Sequence, residues 1–252
     1  MNKREDIQIY ILSHREVPYG IWDNELYTPL QVGDAEDFLS VRDDKGVNIS
    51  NLNPMYAELS GMYWVWKNTD TKYKGQCQFR RRLEFPADYD FDSDFEQYRV
   101  ITMQPLMLGT TLYNQYASCH SKKDMDLLEE IIDEDYPEYS GTFQSVIKRG
   151  SILYYSNGFI MPNGMYDMYC EWLFSVLGKF RERMGWNTNE DVEKDIAEDI
   201  ANGERSGMRG VRYQMQVLGF LSERLLTLWL MTNIPPFLIK TVPYKKYENL
   251  LI

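Results

Sequence analysis

Arg80-Arg81-Arg82 sets three guanidinium groups side by side in a chain whose formal net charge is -11. Guanidinium forks bind phosphate oxygens bidentately and keep their charge at any working pH, so the run is a candidate site for a phosphorylated ligand. Strand periodicity would send Arg80 and Arg82 to one side and Arg81 to the other. The plainer alternative is an ion-paired, solvated surface cluster, and spacing alone favours it. His14 follows the apolar run Ile7 to Leu12 and can stack on or hydrogen-bond a nucleobase, although an isolated histidine at a strand end is as often a structural hydrogen-bonder. Asn157-Gly158 interrupts an apolar segment, either as a turn or as a bulge that lets a ligand approach the backbone. Glu223 sits among apolar residues, where a buried unpaired carboxylate is costly, so it is a candidate base or one half of a salt bridge. Its neighbour Arg224 falls on a different helical face, whereas Gly219 and Thr227 share its own.

Metal-ligand signals are weak. Asp92-Ser93-Asp94 has the letters of a DxD motif, but its acidic setting from Ala87 to Gln97 reads as a loop, so the cofactor stays unknown and a divalent metal is left open. Cys77, Cys119 and Cys170 stand far apart with no CxxC pair, which fits reduced, mostly buried thiols and neither a zinc knuckle nor a disulfide framework.

The elements that must position these groups alternate. Ile7 to Leu12 reads as a buried strand ending at Ser13-His14, and ligands of open α/β sheets gather at such carboxyl ends. Asn53 with Pro54 opens a helix whose stripe Met55, Leu59, Met62, Tyr63 and Trp66 runs to about Lys67. Tyr73 to Phe79 and Tyr98 to Met103 read as strands. Ser121 and Asp124 resemble a capping box before the stripe Met125, Leu128, Ile131 and Ile132. Ile152 to Met161 reads as a strand broken at Asn157-Gly158, followed by a helix with the stripe Met165, Tyr169, Trp172, Leu173, Val176, Leu177 and Phe180. Asn189 to Gly203 is acidic and weakly apolar, Gly207 to Gly210 reads as a mobile loop, and a last helix runs through Val217, Leu221, Leu225 and Leu228. Strand, helix, strand is the signature of an α/β sheet flanked by helices.

With 252 residues, 44% of them hydrophobic, the chain can bury the core of a single domain, with an extended tail from about residue 234 where Pro235-Pro236 and Pro243 lie. The most apolar stretch, Val217 to Met231, contains Glu223 and Arg224 and falls short of the roughly 18 uncharged apolar residues that a membrane span requires. The first residues lack the features of a signal peptide, so the sequence leads to the expectation of a cytoplasmic protein, at most peripheral to a membrane. The negative total argues against nucleic acid as a partner, so an anionic ligand must be met by a local basic cluster.

Gln31-Val32-Gly33, the segment Asp43-Asp44-Lys45-Gly46-Val47-Asn48-Ile49-Ser50, and Asn53-Pro54 followed by Glu58-Leu59-Ser60-Gly61-Met62-Tyr63-Trp64-Val65-Trp66-Lys67-Asn68 resemble the bacterial family catalogued as domain of unknown function 4422. That family is found among capsular and exopolysaccharide biosynthesis glycosyltransferases. The likeness continues through Tyr73 to Leu83, Tyr155 to Met161, Tyr169 to Phe174 and Gly219 to Leu225, nearly the whole chain in order. It implies a glycosyltransferase-A-like fold, a nucleotide-sugar donor such as a UDP-sugar, and a glycan or lipid-linked glycan acceptor. Carried onto this chain, it implies donor binding by His14, Gln31, Gly33, Asp43, Asn48, Arg80 and Arg81, with Glu223 as the acceptor base and Asn157 on the sugar. The family's usual His-Tyr before the arginines is Gln78-Phe79 here, and Gln216 stands where the family tends to have arginine, with Arg212 one turn earlier. Those departures keep a second reading open, a non-catalytic nucleotide-sugar binder or scaffold of a polysaccharide assembly complex.

Overall fold

The computed structural model describes residues 3–15, 24–33 and 36–247. It opens on β1 (Ile7–Ser13), buried throughout, as a short unbroken apolar run requires of a strand covered on both faces. Alternate residues serve two different cores: Tyr10 and Leu12 face one hydrophobic cluster, while Ile7, Ile9 and Ile11 face the other. β2 (Tyr27–Gln31) and β3 (Tyr73–Gln78) both pair parallel to β1.

Between β2 and β3 lie α1 (Asn53–Tyr56) and α2 (Leu59–Asn68), where the sequence reads as one helix. The break is at Ala57, whose φ is 51°. Its carbonyl accepts from Asn53 Nδ2 at 2.8 Å and from Ser60 Oγ at 3.2 Å, side-chain bonds that compete with helix continuation.

β4 (Arg81–Leu83) turns back from β3 across Phe79-Arg80, since Gln78 pairs with Arg81. Arg80 is therefore a turn residue, and strand alternation does not apply to the arginine run. α3 (Phe91–Gln97) takes up the Asp92-Ser93-Asp94 segment that reads as a loop, because Asp90 caps the Ser93 amide at 3.1 Å. β5 (Val100–Met103) and β6 (Leu106–Met107) follow, then α4 (Leu112–Cys119) and α5 (Lys122–Asp135). The α5 stripe is buried as anticipated, but the capping box does not form. Ser121 Oγ donates to the Glu204 carbonyl, and Asp124 turns inward to a two-pronged bond from Arg205, at 2.8 and 2.6 Å.

The short α6 (Ser140–Thr142) leads to β7 (Ile152–Leu153), which pairs with β6, and to β8 (Phe159–Pro162), with a turn at Ser156-Asn157 between them. α7 (Asn163–Arg183) buries Tyr169, Leu173, Val176, Leu177 and Phe180. The acidic stretch forms α8 (Asn189–Ala201), opened by a capping box between Thr188 and Asp191. α9 (Gly210–Gln214) and the largely buried α10 (Val217–Asn233) follow. Beyond α10 the chain is extended, yet it joins the sheet: β9 (Ile239–Val242) runs parallel to β5, and β10 (Tyr244–Lys246) antiparallel to β4.

The pairings place the strands in the order β2, β1, β3, β8, β5, β9, with β4 and β10 attached at the end of β3. This is the mixed α/β sheet flanked by helices that the alternating pattern implies. Because β8 runs antiparallel to β3, with Gln76 opposite Phe159, the start of β8 reaches the same edge as the carboxyl ends of β1, β2 and β3. The residues that flank those ends are His14, Gly33, Phe79 to Arg81, and Ser156-Asn157.

Candidate functional site

Phe79 forms a platform at this edge. His14 meets its ring edge-on with centroids 5.4 Å apart, and the guanidinium carbons of Arg80 and Arg15 lie 5.0 and 5.7 Å from its centre. Burial, then the charges of Arg15, Arg80 and Arg212, push the His14 imidazole down to about 4. The ring is exposed, so the like charges are the firmer cause, and both leave it neutral near pH 7. Burial and the charges of Arg15, Arg81 and Arg209 likewise lower Arg80.

Two chain regions thus bring positive charge to one place, the turn after β3 and the segment around α9. Among the described residues, no carboxylate lies within ion-pair distance of Arg80, Arg81, Arg209 or Arg212, whereas Arg42, Arg82, Arg183, Arg205 and Arg224 each have at least one. In so acidic a chain, exposed arginines without acids suit an anionic ligand. Arg82 behaves differently from its neighbours: it is buried and paired with Glu84 at 2.9 Å.

Arg81 links this basic edge to a second, acidic group of side chains. Its Nη1 lies 3.5 Å from Gln78 Oε1 and 3.3 Å from Ser156 Oγ. Gln78 Nε2 donates to Glu58 Oε1 at 2.7 Å, and Asn157 Nδ2 donates to the same oxygen at 3.1 Å and to Ser222 Oγ at 2.8 Å. Glu223 Oε1 accepts from the Ser156 amide at 2.8 Å. Its other oxygen pairs with Arg224 at 3.1 Å, so the adjacent residue does reach it, contrary to the helical-face argument. The Glu223 side chain keeps 21% of its surface exposed and faces the Ser156-Asn157 turn.

Backbone strain gathers at the same place. Among the described residues the non-glycine positions with positive φ are Ala57, Ser156, Asn157 and Arg209, and such strain persists where surrounding structure over-determines it. Ser156 and Asn157 form the turn before β8, and Gly158 follows where an added Cβ would lie 2.3 Å from Met103 Cε. The turn thus sits at Ser156-Asn157 and is not a hairpin, since β7 pairs with β6 while β8 pairs with β3 and β5.

The remaining candidates are engaged locally. Gln31 is buried; its Oε1 accepts from the Phe38 and Leu39 amides, holding the loop after β2. Asn48 bonds within its own turn, to the Gly46 carbonyl and the Ser50 amide and hydroxyl, and no contact joins it to the arginines among the described residues. Gly33, at φ 80°, donates its amide to Asp43 Oδ1 at 3.1 Å. Asp43 is fully buried, its Oδ2 lacks a partner, and burial pushes the carboxyl up to about 6.

That shift has a definite sign. The folded carboxyl holds its proton to about 6 while the ordinary value is 3.8, so stability associated with Asp43 is complete below 3.8 and declines as pH rises toward 6. Asp43→Asn keeps the acceptor for Gly33 and removes this titration. Thermal unfolding from pH 4 to pH 7 is expected to show the variant gaining on the parent as pH rises, and parallel profiles would refute the assignment.

Glu58 escaped sequence reasoning because a lone carboxylate before a helical stripe looks like a first-turn acid; only its tertiary neighbours single it out. Among the described residues no cluster of three or more His, Cys, Asp or Glu side chains could hold a metal ion, and no helix is long and apolar enough to cross a membrane.

Residues 8–202 match the family described as Domain of unknown function (DUF4422). No curated protein matches the sequence. Among solved structures, the chain is similar to an apo structure of WbbM, described as a bifunctional glycosyltransferase, with a TM-score of 0.75 and 22% identity. The match covers 97% of this chain and 46% of that one, so the chain spans less than half the length of its structural relative. At that identity the likeness establishes a shared fold, consistent with the glycosyltransferase-A-like architecture expected from the sequence.

Proposed function

We propose, from the premise that this chain belongs to the DUF4422 family, that it is a glycosyltransferase taking a nucleotide-sugar donor, in first place a UDP-sugar. The acceptor in this reading is a glycan or lipid-linked glycan precursor of a capsular polysaccharide, exopolysaccharide or lipopolysaccharide, met in the cytoplasm or at the inner face of the plasma membrane. One observation carries the reading: Arg80, Arg81, Arg209 and Arg212, without acid partners among the described residues, lie at the carboxyl edge beside the Glu58, Asn157 and Glu223 cluster.

The chemistry follows from that division. Transfer forms a bond from an acceptor hydroxyl oxygen to the anomeric carbon and breaks the bond to the diphosphate, whose oxygen keeps the electron pair. The arginines stabilise the charge that develops there. Glu223 takes the hydroxyl proton through a carboxylate oxygen. His14, neutral and set on Phe79, stacks with or hydrogen-bonds the nucleotide base. Gln78, at the position where the resemblance implies a histidine, bridges Arg81 and Glu58.

The second reading, a binder without turnover, is favoured by one feature, the Arg224 ion pair on Glu223, which engages one of the two oxygens that a base would use. Incubation with UDP-, GDP- and dTDP-hexoses separates the two. Release of nucleoside diphosphate supports the enzyme, binding without release supports the scaffold, and no binding at all removes both.

A further inference from the structure

Glu58 is delivered to the site by the strained Ala57 between α1 and α2, a turn pressed on α10, where a Cβ added to Gly219 would lie 3.0 Å from Ala57 Cβ. The same stretch of α10 presents Ser222 and Glu223, so the position of Glu58 relative to both is set by packing. Gln78 and Asn157 both donate to Glu58 Oε1. No described side chain bonds to Oε2. Burial, then the charge of Glu223, raises the Glu58 carboxyl above its ordinary range, and a donor on the open oxygen would relieve that penalty.

Beside it lies a second acceptor without a donor, this one fully buried. Asn157 is 1% exposed, its Nδ2 is fixed by Glu58 and Ser222, and its Oδ1 is buried with no donor. Buried acceptors in folded proteins are nearly always satisfied, so an orphan next to an open carboxylate oxygen asks for a group rich in donors. A sugar hydroxyl is such a group. The spacing agrees, because Arg81 touches both Gln78 and Ser156, the neighbours in sequence or contact of Glu58 and Asn157. With a diphosphate on Arg81, the next moiety of the donor is the sugar.

We propose that Glu58, backed by Asn157, accepts a hydrogen bond from a hydroxyl of the transferred sugar and thereby determines which donor sugar the chain takes. This rests on the glycosyltransferase reading, with Arg81 at the donor diphosphate. Glu58 is a specificity-determining residue, distinct from Glu223, which serves the acceptor hydroxyl. Sites that hydrogen-bond a particular hydroxyl discriminate strongly against substrates lacking it in the right place, because the buried groups are then left unpaired.

Calorimetric titration of the purified chain with UDP, UDP-galactose and UDP-glucose tests it, since the two sugars differ in the configuration of one hydroxyl. The parent is expected to bind one hexose conjugate more tightly than UDP. Glu58→Gln is expected to lose roughly tenfold of that advantage, the size of one hydrogen bond to a charged group, with UDP affinity unchanged. Glu58→Asp, which keeps the charge but withdraws it by one methylene, is expected to lose it too. A variant that keeps both the advantage and the preference between sugars overturns the proposal, and so does a folded variant that loses UDP along with the sugars, since that marks a structural role. A parent that binds UDP and both conjugates equally overturns it while leaving the diphosphate site standing. A parent that binds none of the three overturns the UDP-sugar assignment and this proposal together, while release of nucleoside diphosphate from a GDP- or dTDP-hexose would leave the glycosyltransferase reading standing.

Discussion

Replacing Glu223 with Gln lowers sugar transfer by roughly a hundredfold or more while donor affinity hardly changes, as expected when a general base loses its charge and keeps its shape. The substitution preserves the oxygen that accepts from the Ser156 amide, so the turn before β8 keeps its anchor. It removes the anion that pairs with Arg224 at 3.1 Å. Arg224 retains a bond to the Phe220 carbonyl at 3.0 Å and a contact with Gln115, which limits the structural consequence. The measurement is a comparison of kcat with donor KM at saturating acceptor. A Gln variant with near-normal transfer sinks the assignment of Glu223 as base. A fall in transfer matched by an equal loss of donor binding would instead assign the residue to shaping the turn. The Asp variant adds a further check, since a carboxylate drawn back by one methylene retains part of the activity if its charge is what matters.

Converting Arg80 and Arg81 together to Ala lowers donor and nucleoside diphosphate affinity by about a hundredfold or more, from two charge-assisted contacts of about 1.5–3 kcal/mol each. The fold tolerates the change: Arg80 is exposed over Phe79, and the Arg81 hydrogen bonds, at 3.5 and 3.3 Å, are long. Converting both to Lys keeps the charge but removes the planar fork, so binding returns only in part. Affinity for UDP should also fall with added salt, less steeply in the double Ala variant than in the parent. Arg82→Ala is the contrasting control. Arg82 is buried and paired with Glu84, so its loss is expected to lower thermal stability and to leave the diphosphate contacts intact. Unchanged UDP affinity in the double Ala variant would remove the phosphate assignment and, with it, the observation on which the proposed activity rests.

How far each of these groups was legible from sequence depends on the range of the interaction that defines it. Period-two and helical stripes report burial directly, so β1, β3, β5, α5, α7 and α10 were readable from residues such as Ile7 to Leu12 and Leu128 to Ile132. The arginine run and His14 at a strand end were readable for the same reason, because a strand that is buried on both faces must deliver its polar residues at its end. Sequence alone also favoured ion pairing for the arginines, and this holds for one of the three: Arg82 is paired, while Arg80 and Arg81 have no acid partner among the described residues. The difference arises because Phe79-Arg80 is a turn, a consequence of Gln78 pairing with Arg81.

Other features were decided by tertiary contacts that leave no periodic trace. Asp124 looks like a capping residue locally but is drawn inward by Arg205, from a segment far along the chain. The helix from Asn53 breaks because Asn53 and Ser60 capture the Ala57 carbonyl and α10 packs on the break. Glu58, Asn157 and Glu223 come from three elements that meet only when β8 folds antiparallel to β3 and α10 crosses beside α1. By itself the sequence determined which segments are buried and where charge is scarce or dense, since these depend on neighbours a few residues away. Which carboxylate faces which amide, and which arginine is left without an acid, was decided by the tertiary structure, because hydrogen bonds and ion pairs act over a few ångströms between residues brought together only by the fold.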